Sequence, residues 1–139
     1  MTRPALILAL VASVAGGAAA AEPARDKLLE SYRQEASRAT PGFAGFSAAR
    51  GEALYKETHR GGNPATPSCT TCHTADPTAT GKHQKTGRAI EPMAVSANPA
   101  RFTDPGEVEK HFARDCKNVL ERACTAEEKG DFVTFLSGR

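Results

Sequence analysis

Six residues, Ser68-Cys69-Thr70-Thr71-Cys72-His73, carry the strongest chemical signal in the 139-residue chain. C-x-x-C-H is the pattern of covalent haem attachment. Residues at i, i+3 and i+4 share one face of a helical turn. Cys69 and Cys72 can therefore reach the two vinyl groups along one porphyrin edge, and His73 points from the same face toward the iron. Histidine is a standard axial ligand of haem. A dithiol redox pair would use the same two cysteines, but it goes with alternating strands and helices, which this chain lacks. Half a zinc site would call for a second C-x-x-C, and the remaining cysteines, Cys116 and Cys124, stand eight positions apart. The residues point to one covalently bound haem c.

The amino-terminal residues say in which compartment those cysteines work. Arg3 is a short positive region, Ala5 to Val14 is an apolar run, and Ala19 and Ala21 fit an A-x-A cleavage site before Glu22. Residues 1–21 are expected to be a cleaved secretory signal and the mature protein to be soluble in the periplasm. The apolar run is shorter than the roughly 20 residues a membrane span needs. In an oxidising compartment Cys116 and Cys124 are expected to pair, the alternative being two buried thiols. A loop that short gives a stabilisation of about 2.5 kcal/mol in the loop-entropy account.

The elements that must hold the site read as helices. Residues 25–38 place Leu28, Leu29, Tyr32 and Ala36 at three-to-four spacing. A second helix runs from Ser47, a good N-cap, to Thr58, with Ala49, Ala53, Leu54 and Tyr55 as its apolar positions. Helix returns from Glu107 to Leu120, with Val108, Phe112, Val119 and Leu120 inward. It returns again after Thr125, where Thr125 and Glu128 form a T-x-x-E capping box. Between Gly61 and Gly106 the chain is turn chemistry, with six of its nine prolines from Pro64 to Pro105. A segment so long and irregular is uncommon unless it wraps something. Six Phe, two Tyr and no Trp make a thin core, which a large apolar cofactor would complete. A net charge of +2, with no Lys/Arg run, speaks against nucleic acid. The expected class is all-α: 22–46 a helical extension, 47–139 one domain packed around the haem with long connecting loops.

Gly51 with Tyr55, and Asp131-Phe132-x-x-Phe135-Leu136, resemble the crossing terminal helices of class I cytochromes c. Within that class several strings are similar to the SHP-type (sphaeroides haem protein) cytochromes. They are Gly61-Gly62-x-Pro64-x-Thr66-Pro67 leading into the haem motif, Thr86-Gly87-Arg88-x-Ile90-x-Pro92, and Asn98-Pro99-x-Arg101-Phe102-Thr103-Asp104. Val108-Glu109-Lys110 and the Cys116/Cys124 pair continue the likeness, which covers about residues 48–138. The resemblance implies a high-spin cytochrome whose ferrous haem binds O2 and other diatomics such as NO or CO. It also implies a periplasmic dihaem cytochrome c as electron donor, often with a membrane cytochrome b nearby.

In that family the residue before the first disulfide cysteine is an asparagine, the weak sixth ligand of ferric haem. Here it is Asp115. The shape is kept and a charge is added, which favours Fe(III) and lowers the reduction potential. The bland reading of Asp115 is a surface carboxylate paired with Arg114 or Lys117. His111, one helical turn earlier, is a candidate distal-pocket residue. Met93 is the alternative sixth ligand, and with it the chain would be a plain electron carrier with two strong axial ligands. His83 lies in a polar Lys82-His83-Gln84-Lys85 run that reads as a solvated loop, and Asn118 reads as a surface helix residue. Redox turnover of O2, NO or peroxide stays open, because no residue names such a substrate.

Overall fold

The computed structural model describes residues 18–139, so most of the expected signal segment lies outside the described residues. Five helices follow in order: α1 Ala18–Ala39, α2 Ala48–Lys56, α3 Thr70–His73, α4 Pro105–Leu120 and α5 Ala126–Ser137. The all-α reading holds, with one short addition. Between α3 and α4, β1 (Gly81–Lys82) and β2 (Ala89–Ile90) form an antiparallel two-residue ladder, Gly81 opposite Ile90 and Lys82 opposite Ala89.

The helix boundaries follow their caps. Ser47 accepts from Arg50 N and starts α2. Asp104 accepts from Glu107 N with Pro105 in the first turn, so α4 begins at Pro105 rather than Glu107. Thr125 and Glu128 complete both halves of their capping box at the start of α5. α2 stops at Lys56, two residues short of the expected end. Of its expected apolar positions Ala49 is exposed, Ala53 and Leu54 are half-buried, and Tyr55 is fully buried.

The core forms where α2 crosses α5. Gly51 lies so close to the Asp131 carbonyl and the Phe135 side chain that any Cβ would overlap them. This is a glycine kept for close approach of two backbones. Asp131 is buried at the same crossing and accepts from Ser47 N at 2.6 Å and from Arg50 Nε at 2.6 Å. One carboxylate thus ties α5 to the positive end of α2. Tyr55, Phe132, Val133, Phe135 and Leu136 fill the centre, and α1 adds Leu28 and Tyr32 to the same cluster. Cys116 and Cys124 are bonded, with Cα atoms 5.6 Å apart, so the end of α4 is fixed to the approach to α5.

Candidate haem-binding site

The attachment motif is one tight turn. His73 N donates to the Cys69 carbonyl at 3.0 Å and Thr74 N to Thr70 at 3.0 Å. Thr74 then takes a positive φ of 65° with an extended ψ of 166°, which stops the helix. Before the turn, buried Ser68 accepts from Thr70 N through its Oγ at 3.2 Å, and that hydroxyl reaches the Tyr55 carbonyl at 3.3 Å. After it, Tyr55 Oη donates to the carbonyls of His73 and Thr74 at 3.0 and 2.8 Å. Both ends of the motif therefore hang on α2. Gly81 closes the other side: a Cβ there would overlap the Cys72 carbonyl, so β1 can pack directly on the turn.

The electrostatics suit an iron ligand. His73 is pushed down to about 4, first by burial and then by the charges of Arg101, His111 and Arg114, with Asp115 opposing. Its ring is neutral at pH 7 and keeps a lone pair for metal. Its Nδ1 is buried without a hydrogen-bond partner. Cys69 is pushed up to about 12, chiefly by burial, with Asp115 and Cys72 adding to it. Neither Cys69 nor Cys72 is in a disulfide. Among the described residues, no three His, Cys, Asp or Glu side chains converge as a cage that could hold a metal by themselves. Two unbonded thiols and a neutral imidazole on one turn fit haem c and do not fit a protein-only zinc site.

The expected distal residues sit on α4. Asp115 and His111 lie near enough to His73 to influence its charge. Asp115 is paired with Arg114 in a two-pronged contact, Nε to Oδ1 at 2.6 Å and Nη2 to Oδ2 at 2.9 Å. Met93 is buried in the apolar cluster, and its backbone N–H donates to Pro77 at 2.9 Å. His83 is exposed in the β1–β2 turn, where its Nδ1 meets Thr86 N at 3.2 Å. Asn118 is exposed, as expected, but its carbonyl accepts from Asn63 N at 2.7 Å and so holds the loop before the motif.

Two residues in the site carry no role in the sequence reading. Arg101 donates from Nε to the Pro92 carbonyl at 2.8 Å and from Nη2 to Glu91 at 2.6 Å. It therefore fixes the loop that contains Met93. His59 Nε2 lies 2.9 Å from the Leu54 carbonyl, while its backbone N–H donates to Pro67 at 2.7 Å. Arg101 stands inside a family-like string, and a cation in an otherwise loop-forming stretch was the available signal. Nothing local marks His59.

Comparison with known proteins gives the family and the fold. A family described as a domain of unknown function, DUF1924, matches residues 41–136. The chain is 44% identical to the cytochrome c-type protein SHP of Cereibacter sphaeroides over the full length of both. It is 32% identical to cytochrome c'' of Methylophilus methylotrophus over 111 residues, 80% of this chain and 77% of that one. The solved structure of oxidised SHP, described as an oxygen-binding cytochrome c, superposes with a TM-score of 0.75 at 43% identity, covering 83% of this chain and 96% of that one. The solution structure of cytochrome c'', described in terms of haem-ligand detachment, gives 0.71 at 31% identity, covering 85% and 94%.

Proposed function

The chain belongs to the family of SHP-type class I cytochromes c, and on that premise we propose an exported monohaem protein that takes up electrons and binds small diatomic ligands. The family makes it a haem cytochrome; the single covalent haem, the open sixth position and the export are the proposal. Bound haem supplies a one-electron couple and a coordination position for a small ligand. Cys69 and Cys72 would form the two thioether links, and His73 would give its neutral imidazole to the iron. Tyr55 and Ser68 keep the turn from shifting as the iron changes charge, because both ends of it are bonded to α2.

The observation that carries the reading is the polar group set on α4. Asp115, one residue before the bonded Cys116, stands with Arg114 and His111 as a polar trio on α4, whereas Met93 belongs to the apolar core. Asp115 would be a weak sixth ligand with a preference for ferric iron. A carboxylate is held less strongly as a metal's charge falls, so Asp115 would leave room for O2, CO or NO in the reduced protein. The oxygen binding described for SHP supports the same reading.

Export is supported by the pairing of Cys116 with Cys124, which suits an oxidising compartment. It is supported too by Pro23, which lies inside α1 as described. Cleavage after Ala21 would leave Pro23 in the first turn, where proline is favoured. A dihaem cytochrome c is the proposed electron donor. Support for a donor with an acidic face comes from the β1–β2 hairpin, which carries Lys82, Lys85 and Arg88 exposed and no carboxylate between Gly81 and Ile90. That hairpin rests on the attachment turn through Gly81.

Visible spectra test the central claim. The ferrous protein should change its spectrum on addition of CO within the mixing time, and the ferric protein should change on Asp115→Ala. A ferrous spectrum indifferent to CO, with a thioether band lost in Met93→Ala, would make it a plain electron carrier. Intact mass after export should equal the chain from Glu22 plus one haem.

A further inference from the structure

Arg114 and Asp115 are neighbours in sequence, and adjacent helix positions do not face one another. Their two-pronged contact therefore needs the Arg114 side chain to fold back along α4, with both carboxylate oxygens taken at 2.6 and 2.9 Å. Nη2 of the same guanidinium also lies 2.7 Å from His111 Nδ1. His111 Nδ1 is 3.7 Å from Asp115 Oδ2. Arg114 is thus the hub of the trio. A pair of this kind adds little to helix stability, since all three side chains are substantially exposed. What it does set is the direction of the carboxylate.

We propose that Arg114 is a positioning residue for the distal site, holding the Asp115 carboxylate in reserve and setting how much of it reaches the iron in each oxidation state. This rests on the reading of Asp115 as the weak sixth ligand. With one lone pair of each oxygen taken, the fork fixes the direction of the carboxylate and draws on its charge, so Asp115 would serve the metal less readily while Arg114 holds it. The guanidinium keeps its charge at any working pH. The charge of the iron falls on reduction. Arg114 therefore has the stronger competitor for Asp115 in the ferric protein, and it would recover the carboxylate in the ferrous protein. An asparagine at this position has no charge to retrieve, so the device belongs to the carboxylate that distinguishes this chain. His111, sharing Nη2, limits how far the guanidinium can follow Asp115.

The experiment uses the haem-loaded protein with five changes: Arg114→Gln, Arg114→Lys, Asp115→Ala, Asp115→Asn, and Arg114→Gln combined with Asp115→Asn. Arg114→Gln should slow CO association with the ferrous protein about three- to tenfold and strengthen the carboxylate-bound character of the ferric spectrum. Arg114→Lys should fall between, because lysine keeps the charge and loses the fork. In the Asp115→Asn background the effect of Arg114→Gln should vanish, a coupling that a purely structural role would not produce. Equal effects in both backgrounds would make Arg114 a general charge and overturn the proposal. A ferric spectrum that responds to Asp115→Ala while spectrum and CO rate ignore Arg114→Gln would leave the ligand and remove the positioning role. A ferric spectrum indifferent to Asp115→Ala would remove the ligand reading itself.

Discussion

Tyr55 shows how one side chain holds a cofactor site from outside it. The ring is fully buried beside Phe132 and Phe135, and the hydroxyl donates to two carbonyls at the end of the attachment turn. Tyr55→Phe keeps the ring and leaves the His73 and Thr74 carbonyls without that donor. The expected loss is about 1–3 kcal/mol, read by urea denaturation of the haem-loaded protein; unchanged stability would mean that water replaces the hydroxyl. The sequence shows Tyr55 as an apolar helix position and does not show where its hydroxyl goes. Its acceptors lie 18 and 19 residues away at the end of α3, and only the packing of that turn on α2 decides their distance. The haem motif is the opposite case. All three groups fall within one turn, so local geometry alone makes Cys69, Cys72 and His73 legible. Arg101 was hidden for the same reason as the Tyr55 hydroxyl: its acceptors are carbonyls of a loop with no periodic pattern.

At the scale of elements, caps were readable and the hairpin was not. Thr125 and Glu128 announce the start of α5 by residue type and spacing, and the structure forms both bonds. A two-residue ladder gives no alternation to detect, since that signal needs about four residues or more. Thr125→Ala should cost about 1 kcal/mol. Glu128 titrates below the ordinary glutamate range, first because Arg122 donates to it and then because Thr125 does. The unfolded chain therefore binds this proton more readily than the folded one. The stabilisation is present above the ordinary value near 4.5 and is lost as pH falls through the lower folded value. Denaturation curves at neutral and acid pH should show that loss, and Glu128→Gln should remove this share of it. The hairpin supports a different expectation. Replacing Lys82, Lys85 and Arg88 together by Glu should slow reduction by an acidic dihaem donor about tenfold at low salt, with little effect at high salt. An unchanged stopped-flow rate would move the docking face elsewhere.

For the whole molecule, the question is why a helix that precedes the attachment motif by thirty residues or so should matter to the iron. α1 packs along α5, and Tyr32 donates to Glu109 on α4, which also receives Lys129 from α5 at 2.7 Å. At its other end buried Arg25 reaches the loop between β2 and α4. Nη2 donates to the Pro99 carbonyl at 2.9 Å and Nε to Arg101 at 3.3 Å. Arg101 in turn holds the carbonyls of Pro92 and Glu91. Two arginines in series therefore connect α1 to the loop that carries Met93 and Phe102, and Arg101 is one of the charges that depress His73. A guanidinium so placed compensates carbonyls that the irregular loop cannot pair for itself. Arg25→Ala should cost about 1.5–3 kcal/mol, the range for losing a hydrogen bond to a charged group. More tellingly, amide exchange should rise across residues 91–102, far along the chain from the substitution. The protein to use is the haem-loaded protein, compared with an exposed control such as Arg38→Ala. Faster exchange confined to the first turn of α1, with the loop as protected as before, would show that α1 is only appended to the site.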